Sequence, residues 1–492
     1  MAINDSRDLE LLLRSHVPLI AVETVEEQRV VSLFQRLIPR LDGPLYQWSI
    51  TDGLRRLDMD APPQQGTSDP ADMLRHVRDS ARPGVYLLAD FHPYLTDPVN
   101  VRLLKEVAQR YAEVPSTMVI ISHGFDHPPE LRKFIARFEP SLPDRETLLQ
   151  IINEEALAWA RNNGGQRVRT DRASLDRLVQ NLTGLTAWDA RRLTRGAIQD
   201  DGAITESDLP TVMQAKYKLL DRNGALSFTF DTARFSDVGG LTRLKRWLER
   251  RKAAFVNPDP ALDPPRGMLL VGVQGGGKSL AAKAVAGLWG LPLLGLDMGT
   301  LYNKYYGESE RNLREALNTA QVMAPCVLWI DEIEKAMSQS DSDGGVSQRI
   351  LGNLLTWMAE NRHRVFIVAT ANAIEKLPPE LIRKGRLDEI FFVDLPTPAV
   401  REDIFAIHLR RRDLDPATFD LPRLATATEG FSGAEIEQAV VSGLYLAREQ
   451  QTDLDTDHLL TEVAETRPLS TVMRESLERL RAWARDRTVP AE

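Results

Sequence analysis

Gly272-Val273-Gln274-Gly275-Gly276-Gly277-Lys278-Ser279 follows directly on the apolar run Met268 to Val271, and its reading decides how the rest of the chain is understood. The run has the length and composition of a buried strand, and Leu280 to Leu288 beyond the loop carries no proline and reads as a helix. Glycines between a strand and a helix let the backbone curl with its N–H groups turned inward, so that a polyphosphate can rest on them and on the helix N-terminus. In that setting Lys278 reaches the outer phosphates and the Ser279 hydroxyl ligates magnesium, the Walker A pattern.

A second apolar run, Cys326 to Ile330, reads as another buried strand and ends in Asp331-Glu332. Alone, such a pair would read as a solvated acidic turn. Paired with the glycine loop it suits two roles, Asp331 holding magnesium and Glu332 activating the attacking water. The two motifs together point to hydrolysis of a nucleotide, with ATP and Mg2+ as cofactors.

The 492 residues suffice for about three domains with a core in each. Sixty-one basic against 70 acidic residues leave a net charge of -9, which argues against nonspecific nucleic-acid binding by the chain as a whole. The single cysteine, Cys326, precludes an internal disulfide, fits a reducing compartment, and reads as a small core residue within its strand. Met1 to Glu10 is polar and acidic, and no apolar run approaches the ~20 residues of a membrane span, so a soluble, cytoplasmic protein is expected.

In chain order, residues 1–140 alternate strand and helix: a strand at His16 to Glu23, an amphipathic helix at Glu26 to Ile38, and buried strands at Gly84 to Ala89 and Met118 to Ser122. That alternation implies a parallel sheet covered by helices. Residues 141–222 turn helical, with helices at Asp144 to Arg161, Leu175 to Asn181 and Ala187 to Ile198. They echo the C-terminal part of the chain: Leu142-Pro143 with its helix matches Leu395-Pro396, and Thr183-Gly184-Leu185-Thr186 matches Glu429-Gly430-Phe431-Ser432. The front half therefore reads as a second nucleotide-binding module that has lost its site, because its first strand is followed by Thr24-Val25-Glu26-Glu27, with no glycine or lysine for a phosphate. An unrelated α/β domain is the alternative; superposing the two halves decides between them, and a sheet order unlike that of the second half counts against duplication. Residues 223–236 form a linker, and the basic helix Thr242 to Ala254 reads as a solvated face over a buried side of Leu244, Trp247 and Leu248.

With these motifs in order, Phe235 to Leu469 resembles an AAA ATPase: a core at 237–396 and a helical lid with a C-terminal helix at 397–492. The expected fold class is α/β, a P-loop module of parallel sheet plus helical lid, preceded by a degenerate AAA-like domain with its own helical subdomain. The resemblance implies that Asp237, Val238 and Gly239 line the adenine, beside the loop residues Gly272, Gly275, Gly276, Gly277, Lys278, Ser279 and Leu280. It implies that Asn372 orients the attacking water and that Arg383 and Arg386, in Leu381 to Asp388, act as arginine fingers in a neighbouring subunit. His408 matches a nucleotide-contacting histidine, and Gly433 and Ala434 stand where part of the family carries Gly-Ala in place of a sensor 2 arginine. Tyr305 and Tyr306 resemble a pore loop that grips an extended chain, with packing at a subunit interface as the alternative, and Ser338 to Val346 resembles a second, acidic pore loop.

The loop departs from the commoner G-P-P-G-T-G-K-T, and the front half resembles none of the well-studied recruiting domains. Both features are similar to the chloroplast reading-frame AAA proteins of cyanobacteria and algal plastids. That resemblance implies an ATPase fold but no settled substrate, while the arginine-finger and pore-loop matches to AAA ATPases imply a homo-hexameric ring that uses ATP to remodel a macromolecular partner, expected to be protein, with nucleic acid disfavoured by the charge. A nucleotide-switched scaffold is the second expectation.

Overall fold

Leu19 and Ile20 are neighbours in sequence, both fully buried, and belong to different hydrophobic clusters, as a strand covered on both faces requires. They open β1 (Leu19–Glu23) in a computed structural model that describes every residue except 1, 41–42, 81, 125–126, 221–223, 231–234, 257–261, 302–307, 338–345 and 383–384. The chain divides into two compact units, 1–205 and 206–492.

In the first unit β2 (Leu45–Ser49), β3 (Gly53–Arg56), β4 (Gly84–Ala89), β5 (Ser116–Ser122) and β6 (Ile135–Phe138) complete one sheet. Its order is β3-β2-β4-β5-β1-β6, parallel except for the antiparallel edge strand β3. The helix Arg145–Asn162 packs against Ala187–Gln199 in the helical part that follows, where β7 (Arg169–Thr170) and β8 (Ala203–Ile204) form a short parallel pair. The first strand begins later than its sequence pattern suggests, because His16 takes a left-handed φ of 58° just ahead of Pro18. The polar N-terminal stretch forms the helix Ala2–Arg14, which buries Leu9 against the sheet's cluster of Val30, Phe34 and Leu37.

The second unit carries β9 (Leu226–Thr229), β10 (Gly267–Gly272), β11 (Leu293–Leu296), β12 (Cys326–Ile330), β13 (Val365–Ala371), β14 (Glu389–Val393) and β15 (Val489–Pro490). They are ordered β15-β14-β10-β13-β12-β11-β9, parallel except for β9. Along β10, Leu269 and Val271 face one core cluster while Met268 and Leu270 face the other. With β3, β9 and β15 set aside and the remaining strands counted within each unit, both sheets run fifth, first, fourth, third, second, and each adds an antiparallel strand beyond the second. The front half thus has the sheet order that a second copy of the module requires. Cys326 is fully buried, and burial pushes its thiol up to about 12, so it behaves as a core residue. No described helix is long and apolar enough to cross a membrane.

Candidate functional site

The end of β10 comes so close to β14 that a Cβ on Gly272 would stand 2.0 Å from the Val393 carbonyl oxygen, so only glycine fits there. The loop then turns through Gly275, whose φ of 75° lies in the left-handed region, and Gly277 caps the helix Lys278–Trp289. Lys278 is buried and donates Nζ to the Gly272 and Val273 carbonyl oxygens at 2.9 and 2.7 Å. Burial lowers its ammonium to about 8, against the opposing pull of Glu334, Asp331 and Glu332.

Beside the loop, the carboxyl ends of β12 and β13 meet. Ser279 Oγ donates to Asp331 Oδ1 at 3.1 Å, and Thr370 Oγ1 donates to the same oxygen at 2.5 Å. Thr370 in turn accepts the Glu332 backbone N–H at 2.9 Å, and Asn372 Nδ2 donates to Glu332 Oε1 at 2.7 Å. Glu332 has a left-handed φ of 47°, a costly conformation for a non-glycine residue that these partners hold in place, and it also pairs with Lys335. Glu334 Oε1 accepts the backbone N–H groups of Asn372 and Ala373 at 2.7 and 3.2 Å, tying the two strand ends together.

A cleft of about 590 Å³ opens over this edge and is lined by Asp237, Val238, Gly239, Gly275, Gly276, Gly277, Lys278, Ser279, Leu280, Asp331, Glu332, Asn372, His408, Gly433 and Ala434. The helical lid closes one side: the Ala434 N–H donates to the Gly275 carbonyl at 3.2 Å, and Ser432 and Glu435 form a capping box at that helix start. His408 is buried 3.5 Å from Glu437, and burial lowers its basicity. Gly272 packs the loop onto the sheet and does not line the cleft. Arg386 also lies outside the lining and donates NH1 to the Glu380 carbonyl at 2.7 Å. Arg383, Tyr305 and Tyr306 fall outside the described residues, as does all of the acidic loop but its last residue, Val346.

The donors suit the cofactors. Ser279 Oγ and Asp331 Oδ1 stand 3.1 Å apart, close to the ~3 Å between adjacent ligands of an octahedral magnesium with 2.1 Å bonds.

Residues 268–395 match the family described as ATPases associated with various cellular activities (AAA). Residues 5–140 and 146–223 match the N-terminal and second domains of SpoVK-like AAA ATPases. The AAA domain-containing protein ycf46 of Trieres chinensis is 35% identical, with 98% of this chain and 97% of that protein covered. The ycf46 protein of Guillardia theta is 35% identical over 97% of this chain and 94% of its own. The chain belongs to the ycf46 family of AAA ATPases. Human ATPase family gene 2 protein homolog A is 33% identical to this AAA ATPase over 51% of the chain and 29% of its own length.

The front module of the AAA ATPase shows how the corresponding place is filled. Glu26, after β1, accepts the Trp188 backbone N–H at 3.0 Å and the Arg29 guanidinium at 3.0 Å. A carboxylate of the chain thus meets the start of the helix Ala187–Gln199, where in the second unit a loop carbonyl meets the start of Gly433–Glu449. Thr370 and Glu334 were missed in the sequence. A threonine inside the apolar strand Val365–Ala371 and a third acid in Asp331-Glu332-Ile333-Glu334 were the available signals.

Proposed function

We propose that this AAA ATPase hydrolyses ATP with magnesium, and that it works as a homo-hexameric ring that remodels a protein partner. The supporting observation is the network of Ser279, Asp331, Thr370, Glu332 and Asn372, which gathers metal-ligating, basic and water-orienting groups at one wall of a cleft beside Lys278. Lys278 and the loop N–H groups bind the phosphates, and Ser279 and Asp331 hold the metal, which when bound neutralises phosphate charge. Glu332 takes the proton of the attacking water, and Asn372 orients both. Val238 and Gly239 contact the base, and His408, Gly433 and Ala434 carry its position to the lid.

In the ring, Arg383 and Arg386 complete a neighbour's site, and Tyr305 and Tyr306 grip the substrate. The reading keeps the segments 1–140, 141–222, 223–236, 237–396 and 397–492 as its parts, with β9 from the linker and β15 from the last segment pairing onto the sheet of the core. Specific ATPase activity measured against chain concentration tests it. The expected result is a steep rise as the chain assembles and a loss of at least ~10³-fold in Arg386→Ala with nucleotide affinity kept. A dilute monomer as active as the assembled protein would overturn it.

A further inference from the structure

Among the described residues, one group of three potential metal-ligating side chains converges, and it lies in the front module: Asp90, His92 and His123, whose ligand atoms all fall within 4.8 Å of one another. Asp90 follows β4, His92 stands two residues on, and His123 follows the neighbouring strand β5. In the second unit the corresponding positions after β12 and β13 are Glu332, Glu334 and Asn372. Asp90 even repeats the left-handed φ of 47° found at Glu332. The strand ends have kept their backbone geometry while the side chains have changed from acid, acid and amide to acid, imidazole and imidazole.

We propose that Asp90, His92 and His123 form a binding site for a zinc-class divalent transition ion. Two imidazoles and one carboxylate are a borderline donor set suited to such ions, in contrast to the all-oxygen sets of magnesium and calcium. The Ser122 hydroxyl engages Nδ1 of His92 at 2.7 Å, which fixes that ring and leaves Nε2 for a metal, the usual outer support of a ligating histidine. The His123 ring stands perpendicular to it at 4.7 Å between centroids. Tetrahedral ligands at 2.0–2.2 Å lie about 3.4 Å apart. The group therefore closes on an ion by about an ångström, through rotation of the exposed side chains of Asp90 and His123. Three protein ligands leave a position open to water or to a donor atom of another molecule.

The test titrates the full-length chain, stripped of metal and free of nucleotide, with Co2+, followed by displacement with Zn2+. The visible cobalt band should saturate at one equivalent per chain and be displaced by zinc. His123→Ala and Asp90→Asn should each weaken binding about tenfold or more, while His76→Ala, on another helix, leaves it unchanged. Asparagine tolerates the left-handed backbone at position 90, so Asp90→Asn keeps the fold, checked by circular dichroism. Zinc should also raise the melting temperature of the wild type and not that of His123→Ala. Absence of a cobalt band at 100-fold excess, or an equal band in both variants, overturns the site.

Discussion

Replacing Thr370 with valine keeps the shape of a side chain that is 1% exposed and removes one hydroxyl, and that hydroxyl serves both acids of the site. Its bond to Asp331, at 2.5 Å, has a charged acceptor, a class of bond that contributes about 1.5–3 kcal/mol. The Glu332 N–H, which it accepts at 2.9 Å, would lose that partner at a further cost of about 1 kcal/mol, the low end because the group is only part-buried. The second unit should therefore lose roughly 2–4 kcal/mol in urea denaturation. Turnover should suffer separately. The left-handed turn at Glu332 holds strain of about 1–3 kcal/mol, and a carboxylate that relaxes by an ångström costs on the order of 10²-fold in rate. We expect kcat for ATP to fall about 10- to 100-fold in Thr370→Val, with nucleotide affinity in the absence of magnesium within about threefold of wild type. Thr370→Ser, which keeps the hydroxyl, should recover most of the rate. A Thr370→Val enzyme within twofold of wild type, or a Thr370→Ser variant equally slow, would refute this account of how the two acids are held.

Glu332→Gln should lower turnover about 10²- to 10⁴-fold while nucleotide binding, followed by equilibrium dialysis, stays within a few-fold. Its stability cost is under ~1 kcal/mol, since the lost pairing is with the exposed Lys335. Lys216, buried in the helix Leu209–Leu220 and donating to the Val322 carbonyl at 2.6 Å, is lowered by burial to about 7 from 10.5. Between those values the unfolded chain holds a proton that the folded chain has released. Its contribution is complete above 10.5 and lost as pH falls through 7, so denaturation midpoints should rise with pH across that window. Lys216→Met should flatten that rise. Glu26→Ala leaves the Trp188 N–H to water in place of that acceptor, and should cost the first unit about 0.5–1.5 kcal/mol in urea denaturation without changing nucleotide affinity.

The glycine loop and the acidic strand end were legible because each is a local pattern whose chemistry is complete within eight residues or fewer. The missing site in the front half was legible for the same reason, since Thr24 to Glu27 offers nothing to a phosphate. What escaped is what depends on neighbours distant in the chain. Thr370 matters only because β12 and β13 are paired, which brings its hydroxyl to Asp331 across 39 positions. The short edge strands β3, β9 and β15 have too few residues to show a period and form by pairing with strands already in place. The N-terminal helix Ala2–Arg14 was hidden by its charge, although Leu9, Leu12 and Leu13 trace its buried stripe.

Glu26 has a consequence for how this ATPase can be worked. A γ-phosphate comes and goes, and a module that senses one has two states to move between. A carboxylate attached to the backbone never dissociates, so the helix it anchors has no exchangeable key. On the function proposed above, each chain then has one exchangeable nucleotide site, in its second unit, and saturation should count a single ATP per chain.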